Sequence, residues 1–211
     1  MSATFADRHD AGRQLAERVA ALPEGPDPIV LGLPRGGVPV AWEIAQALAA
    51  PLDVWLVRKL GLPWNPEVAM GAIAEGGVCY RDDAMIRALR LTEDDVQAVI
   101  DVESAELERR RQRYRGEAPA PTLSGRQVIL VDDGLATGAT LEAAVEAVRQ
   151  AAPAWLVVAV PVAAPEALAR LATRVDTLVC LHQPRQFRAV GQWYRRFDQT
   201  SDEEVLRLLG R

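Results

Sequence analysis

Residues 128–140 read Val-Ile-Leu-Val-Asp-Asp-Gly-Leu-Ala-Thr-Gly-Ala-Thr, a strand pattern that turns into a polar loop. The first four residues are β-branched or aliphatic, as in a strand buried inside a parallel sheet. Asp132 and Asp133 follow where that strand would end. Small and hydroxyl-bearing residues then lead to Leu141, where a helical pattern begins. The stretch therefore predicts a buried strand, a loop and the N-terminus of a helix.

The predicted loop suits a phosphate group. Small side chains let an anion approach the backbone N–H groups, and the dipole of the following helix favours negative charge. Two carboxylates beside a phosphate make sense if the ligand also offers hydroxyls or a divalent cation, and a ribose 5-phosphate unit offers such hydroxyls. The alternative is an ordinary strand–loop–helix junction with a solvated acidic pair, which has no reason to join acids, Thr-Gly and a helix start.

This segment resembles the phosphoribosyl-pyrophosphate (PRPP) motif of the type I phosphoribosyltransferases, in which four apolar residues and two acids precede a small, hydroxyl-rich loop. The resemblance implies PRPP as substrate, with Mg²⁺ bound alongside it. Asp132 and Asp133 would hold the ribose and the metal and take part in catalysis. The 5-phosphate would be bound by the loop residues Ala136, Thr137, Gly138, Ala139 and Thr140. The chain most resembles the bacterial branch of the family whose acceptor is unassigned.

Composition sets the class of protein. With 211 residues, 49% of them hydrophobic and 25% charged, the chain fits one α/β domain over residues 1–211. No apolar run reaches the ~18 residues of a membrane span, and the early charged residues do not form a signal peptide. Cys79 and Cys180 are too few for a disulfide framework. We therefore expect a cytoplasmic protein, and a net charge of −5 argues against general nucleic-acid binding.

A second candidate anion loop, Pro34-Arg35-Gly36-Gly37, follows a predicted strand at residues 29–33. Two glycines allow the backbone to approach a ligand closely. In the resembled family the corresponding loop holds the pyrophosphate of PRPP, often with an unusual peptide geometry, which implies contacts from Arg35, Gly36 and Gly37. Taken alone, the four residues are equally typical of a tight turn.

Lys59 is the only lysine in the sequence. Arginine is used elsewhere, which indicates that this position requires an ammonium group, since the two groups differ in shape and hydration. Arg58 and Lys59 follow a second predicted strand at residues 52–57, and family members often carry basic residues here that reach pyrophosphate. Both are therefore candidate catalytic residues. A solvated strand end and a lysine retained by chance are the alternatives.

Strands alternating with helices predict a doubly wound, mainly parallel five-stranded sheet in the order 2-1-3-4-5, completed by strands at residues 155–162 and 176–181. In that order the two anion loops leave neighbouring strands and meet at one crevice. An insertion at about 61–121 would hold a mobile lid loop at 61–69, a hairpin at 70–81 and a helix at 92–115. We interpret the arginines near the end of that helix mainly as a solvated face; they are Arg109, Arg110, Arg111, Arg113 and Arg115.

The tail at about 182–211 is rich in aromatic residues. In purine-using relatives a C-terminal segment forms part of a hood in which an aromatic ring stacks on the base. That resemblance makes Phe187 the first candidate for acceptor binding and Trp193 the second. The alternative is a hydrophobic patch that closes the edge of the sheet.

The implied reaction moves ribose 5-phosphate from PRPP to a nitrogenous base, as in nucleotide salvage, and releases pyrophosphate. One departure concerns Ala136, because hypoxanthine–guanine enzymes carry an Asp at that place; Glu67 could replace it only if the lid brings it in. The resemblance also admits a homodimer. Two alternatives without turnover remain: a regulator that senses PRPP or a nucleotide, and a competence-type accessory protein.

Overall fold

The computed structural model describes residues 4–211, apart from the side chain of Glu67. Its strands are β1 (Ile29–Gly32), β2 (Leu52–Val54), β3 (Val57–Leu62), β4 (Asn65–Ala74), β5 (Val78–Arg81), β6 (Gln127–Val131), β7 (Trp155–Val162) and β8 (Thr177–His182). Its helices are α1 (Arg8–Ala20), α2 (Gly37–Leu48), α3 (Asp83–Ala88), α4 (Glu93–Tyr114), α5 (Ala139–Gln150), α6 (Pro165–Ala172) and α7 (Asp202–Leu208).

Five strands form a parallel sheet in the order β2-β1-β6-β7-β8. This is the predicted order 2-1-3-4-5, so the expected doubly wound fold is confirmed. Successive residues of a strand point to opposite faces. Val30 and Ile129 accordingly pack against α1 and α2, whereas Leu31 and Leu130 pack in the cluster that contains α5 and α6. With both faces covered, β1 and β6 are buried along their whole length.

The segment between β2 and β6 builds a second sheet, antiparallel and ordered β3-β4-β5. Leu60, Met70 and Ile73 of this sheet pack with Ile86 of α3 and Val96 of α4. The hairpin predicted at residues 70–81 is confirmed, since Ala74 pairs with Val78 across a short 3-10 turn. The second sheet thus has its own small core.

The second predicted strand, residues 52–57, is wrong in its extent. β2 ends at Val54, and Val57 begins β3, where it pairs with Ala74 of the second sheet. Residues 54–57 are all buried, so the apolar run gives no sign of the change of sheet. Arg58 and Lys59 consequently lie within β3 and not at the end of a parallel strand.

The lid loop predicted at residues 61–69 is also wrong, because most of these residues are in strands. β3 continues to Leu62 and β4 starts at Asn65, which leaves a short turn between them. A Cβ on Gly61 would lie 2.6 Å from the carbonyl oxygen of Pro66. The glycine therefore permits close backbone contact in an irregular hairpin and does not mark a loose loop.

A buried ion network fastens the second sheet to the main one. The Arg115 guanidinium, with 0% of its side chain exposed, lies 2.5 Å from Oδ2 of Asp53 and 2.9 Å from Oε2 of Glu75. It also donates to the carbonyl oxygen of Val54 at 3.0 Å. Burial raises the pKa of Glu75, and Arg115 opposes that shift. Arg115 therefore does not belong to the solvated face predicted for it.

Three other arginines of that group pair with glutamates of α4 as expected, whereas Arg113 pairs with Asp202 of α7. Arg109 and Arg110 both lie 2.7 Å from Glu106, and their hydrogen bonds lower the pKa of Glu106 to about 2. Arg111 pairs in the same way with Glu108. Within residues 4–211, none of the helices is long and apolar enough to cross a membrane.

Candidate functional site

The two predicted anion loops are in contact at the carboxyl ends of β1 and β6. Leu33 donates its N–H to the carbonyl oxygen of Val131 at 2.9 Å. A Cβ on Gly36 would lie 2.0 Å from Oδ2 of Asp133, and one on Gly37 would lie 2.6 Å from the Val131 oxygen. Gly37 therefore needs glycine because it lies against backbone, whereas a side chain at Gly36 would require the Asp133 carboxylate to move. The crevice expected from the strand order is present.

Replacing Gly36 with alanine should disrupt this junction. The added methyl group would push the Asp133 carboxylate away from Arg8 and break their 2.8 Å hydrogen bond, so we expect a loss of roughly 1–3 kcal/mol in the free energy of unfolding. Denaturant titration measures the loss. The double variant Gly36→Ala/Asp133→Ala removes the overlapping carboxylate and should recover part of the stability. Equal stability of Gly36→Ala and the wild type would contradict the contact.

The side chain of Arg35 points away from the acidic pair. The Pro34–Arg35 peptide is cis, in keeping with the unusual geometry that the resemblance implies. The guanidinium lies 3.9 Å from Asp202 of α7 and faces a cavity of about 400 Å³. That cavity is also lined by three arginines of α4: Arg109, Arg110 and Arg113. A ligand in the crevice would thus meet the backbone of this loop more readily than the Arg35 side chain.

The acidic pair is held by its surroundings. The Asp133 backbone N–H donates to Oδ1 of Asp132 at 2.9 Å, and the Tyr194 hydroxyl donates to the Asp133 carbonyl oxygen at 2.5 Å. Burial raises the pKa of Asp132 well above the usual range, and the Asp133 charge adds to that shift. Burial also raises the pKa of Asp133, but Arg8 opposes it. Both side chains keep partial exposure.

Arg8 is a residue of the site that the sequence pattern did not reveal. Its Nε donates to Oδ2 of Asp133 at 2.8 Å, and its Nη1 donates to the Asp198 carbonyl oxygen at 2.6 Å. The guanidinium lies 3.9 Å from the centroid of the Phe197 ring, in a cation–π arrangement. Because Arg8 opens an ordinary amphipathic helix, no local signal distinguishes it. Its position next to Asp133 and Gly36 adds a cation to the crevice.

The loop after the acidic pair is open at the positions expected to meet phosphate. Ala136, Thr137 and Thr140 are exposed, and Ala139 begins α5. Gly138 adopts φ 86°, a left-handed conformation that favours glycine, and no side chain caps the helix. Arg170 donates to the Thr137 carbonyl oxygen at 2.5 Å and pairs with Glu142 of α5 at 2.9 Å, which fixes the loop against α6. These features are those of an anion site at a helix N-terminus.

A cavity of about 680 Å³, here called the main cavity, adjoins both loops. Pro34 of the first loop and Thr140 of the second line it, and so do Arg58 and Lys59 from β3. The strand that carries the two cations is therefore not the predicted one, yet both line the cavity beside the two loops. Arg58 is already paired, because its Nε lies 2.6 Å from Oε2 of Glu103 in α4. No local pattern marks this acidic partner.

The tail aromatics do not line this cavity. Trp193 is 9% exposed and packs with Phe5, Val162 and Tyr194, and Phe187 packs against the same cluster. This placement argues against Trp193 as the residue that stacks on an acceptor. It agrees with the alternative interpretation of the tail as a patch that closes the molecule. The tail does reach the motif, because a Cβ on Gly134 would lie 2.5 Å from Val190.

Asp132 and Asp133 suit an Mg²⁺ ion whose other ligands come from a substrate better than an ion that the protein would coordinate alone. Among the described residues, no group of three or more His, Cys, Asp or Glu side chains could hold a metal ion. Two carboxylates alone are a common protein contribution when substrate phosphates complete the coordination of Mg²⁺. One of these two also faces Arg8. The donor set therefore suits a cation that arrives with an oxygen-rich ligand.

The sequence matches a known family model and several curated relatives, two of which are from Mycobacterium tuberculosis. The model, described as the phosphoribosyl transferase domain, matches residues 7–190. These two relatives are both called putative phosphoribosyl transferase, from strains CDC 1551 and H37Rv of Mycobacterium tuberculosis, and are 50% identical over 207 residues. Those residues are 98% of this chain and 46% of each relative, so the chain spans about half of their length.

Solved structures agree with the fold. The crystal structure of TT1426 from Thermus thermophilus is 47% identical, covers 97% of each chain and superposes with a TM-score of 0.88. The AQ2163 protein from Aquifex aeolicus is only 14% identical, with a TM-score of 0.50 over 82% of this chain and 73% of its own, which speaks for the fold alone. The second sheet and the tail are thus part of an architecture shared with TT1426 over nearly its whole length.

Proposed function

We propose, because this chain belongs to the phosphoribosyl transferase family, that it transfers ribose 5-phosphate from PRPP to a nitrogen acceptor and releases pyrophosphate. The observation that carries the proposal is the contact between the two loops at Gly36 and Asp133. That contact brings a phosphate loop, an acidic pair and a second anion loop to one crevice. A sugar with phosphate groups at both ends requires such an arrangement.

Each part of the crevice has a role in this reaction. Residues 136–140 bind the 5-phosphate through backbone N–H groups, and Asp132 and Asp133 accept hydrogen bonds from the ribose hydroxyls. Lys59, at the wall of the main cavity, stabilises the negative charge that develops on the leaving pyrophosphate. Arg8 holds Asp133 in place from the opposite side. Preorganised charges of this kind supply most of the catalysis, because the protein forms no covalent bond.

The transfer breaks the bond between C1′ and the pyrophosphate oxygen, and its electron pair leaves with pyrophosphate. The lone pair of the acceptor nitrogen forms the new bond to C1′, and a proton carried by that nitrogen is released. When bound, Mg²⁺ held by Asp132 and Asp133 would supply positive charge to the phosphates. Ala136 offers no group to take the proton. The Glu67 side chain, the substitute considered from the sequence, lies outside the described residues.

A pyrophosphate-release assay tests the function. Protein, PRPP and Mg²⁺ are incubated with adenine, hypoxanthine, guanine, uracil, orotate or nicotinate, each in turn. We expect release that depends on one of these acceptors and stops when Mg²⁺ is chelated. Calorimetry of PRPP binding accompanies the assay. Tight PRPP binding without release would favour the sensing or accessory role, and no binding at all would contradict every role based on PRPP.

Lys59→Arg should reduce turnover more than stability. Arginine keeps the charge, but its planar guanidinium cannot occupy the position of a compact ammonium group. We expect kcat to fall about 10-fold or more, which corresponds to at least ~1.4 kcal/mol in the barrier, while the thermal midpoint stays near that of the wild type. Arg87→Lys, an exposed exchange in α3, is the control. A wild-type kcat for Lys59→Arg would mean that the lysine has no special role.

A further inference from the structure

The main cavity continues from the anion loops along one face of α4. Ala98, Val99 and Val102 line it at helical spacing, and Pro63 and Pro66 of the β3–β4 hairpin line it as well. Val102 is 68% exposed, in a helix whose exposed positions are otherwise rich in Glu and Arg. An apolar wall is thus left open in the same cavity as Arg58 and Lys59.

The cavity is large enough for more than the sugar phosphate. Its volume of about 680 Å³ lies well inside the range of small-molecule sites, roughly 300–1,000 Å³. Lys59 and Thr140 mark its phosphate end, and the α4 wall marks the other. Trp193 is not open to a ligand, because it is 9% exposed and packs in the cluster around Phe5.

We propose that the acceptor binds against this wall of α4 and that it is a flat, uncharged nitrogen ring. The proposal rests on the proposed function, which requires a nitrogen acceptor next to the ribose. Aliphatic side chains and proline rings bury the faces of a flat ring without hydrogen-bond partners of their own. A ring that carries a carboxylate would have that charge desolvated against this aliphatic wall, which is unfavourable.

Glu103 gives the wall a polar edge. Its carboxylate lines the cavity and is oriented by Arg58, whose Nε lies 2.6 Å from Oε2. A carboxylate held in this way accepts hydrogen bonds from ring N–H or exocyclic amino groups. The two arginines that line the cavity, Arg58 and Arg110, are already paired with Glu103 and Glu106. The combination of an apolar wall and an oriented acceptor selects neutral, donor-bearing rings over orotate-like or nicotinate-like ones.

The test substitution places a bulky side chain in the cavity beside α4 and leaves the residues of the phosphate end unchanged. Ala98 is exposed, so Ala98→Phe can fold and projects a ring into the cavity. Ala105→Phe, at an exposed position of the same helix that does not line the cavity, is the matched control. Calorimetry measures the binding of adenine, guanine, hypoxanthine, uracil, orotate and nicotinate to each protein in the presence of Mg²⁺ and pyrophosphate, a combination that cannot react. PRPP affinity is measured separately.

We expect at least one neutral base to bind the wild type and Ala105→Phe equally, and to bind Ala98→Phe at least tenfold more weakly. PRPP affinity should agree within twofold among the three proteins. Equal base affinity in Ala98→Phe, a preference for orotate or nicotinate, or no binding of any of the six compounds would overturn the proposal. A failure of the proposed function looks different, since PRPP would then not bind or would not react in the wild type.

Discussion

The double variant Asp132→Asn/Asp133→Asn is expected to lose PRPP affinity by a factor of ~100 or more. Each carboxylate would give up a charge-assisted hydrogen bond to the ribose, and such bonds contribute roughly 1.5–3 kcal/mol apiece, which together exceed the ~2.7 kcal/mol of a hundredfold change. Calorimetric titration with PRPP and Mg²⁺ measures the effect. Asp94→Asn/Asp101→Asn removes two exposed charges from α4 and serves as the control.

The same variant should remain folded. Burial raises the pKa of both aspartates. Their protonated forms therefore favour the folded state, and this contribution to the free energy of unfolding is lost as the pH rises through the raised pKa values. At neutral pH the ionised carboxylates consequently oppose folding. Asparagine cannot ionise and avoids that cost. We therefore expect a free energy of unfolding at pH 7 that is not lower than the wild type by more than ~1 kcal/mol. Unchanged PRPP affinity in a folded variant would refute the role of the pair.

We expect Arg115→Met to lower the free energy of unfolding more than any other single substitution proposed for this chain. It leaves the carboxylates of Asp53 and Glu75 buried without their common partner, and breaking a buried ion pair typically costs about 3–5 kcal/mol. Denaturant unfolding at pH 7 measures the loss. Arg109→Met removes an exposed arginine paired with Glu106 and should cost less than ~1 kcal/mol.

The loss in Arg115→Met should depend on pH in a defined direction. Burial already raises the pKa of Glu75 in the wild type, and removing the Arg115 charge, which lowers that pKa, raises it further. A carboxyl group with a raised pKa favours the folded state when protonated, and this advantage is lost as the pH rises. The difference between variant and wild type should therefore shrink between pH 7 and pH 5. If the difference in unfolding free energy between variant and wild type instead grew towards acid pH, buried ionised Glu75 would not be the cause of the destabilisation.

The parallel sheet and its motif loop could be predicted because they depend on local patterns. Residues 128–131 form an apolar run, and the acids and small residues after them mark the loop. The right-handed crossovers of parallel sheets then fix the strand order. These two rules placed the Gly36 and Asp133 loops together although about 100 residues separate them in the chain.

The site contacts that were missed depend on distant parts of the chain. Arg8 and Asp133 are 125 positions apart, and nothing near Arg8 marks it as different from other arginines. The chain passes from the parallel sheet to the antiparallel sheet between Val54 and Val57. The sequence gives no sign of this change because residues 54–57 are all apolar and buried. The packing of Trp193, which argues against its predicted stacking role, was hidden for a similar reason, since an aromatic residue can close a core as readily as it can line a pocket.

A local signal did exist for one element that was overlooked. Ser201 accepts a hydrogen bond from the N–H of Glu204, and Asp202, Glu203 and Glu204 put three acids in the first turn of α7. This is the usual start of a helix. The helix matters for the site because Asp202 contacts Arg35 and Arg113.

Contacts from both ends of the described chain converge on Asp133, and this has a consequence for biosynthesis. Arg8 approaches it from α1, while Tyr194 and Val190 reach the same turn from more than 50 positions downstream. A ribosome extends the polypeptide from the N-terminus, so β1 and β6 can pair long before residues 190–198 have left the exit tunnel. The turn that carries Asp133 is therefore completed only after all five parallel strands have been synthesised, and chains that stop before residue 190 should form the sheet but lose the proposed affinity for PRPP.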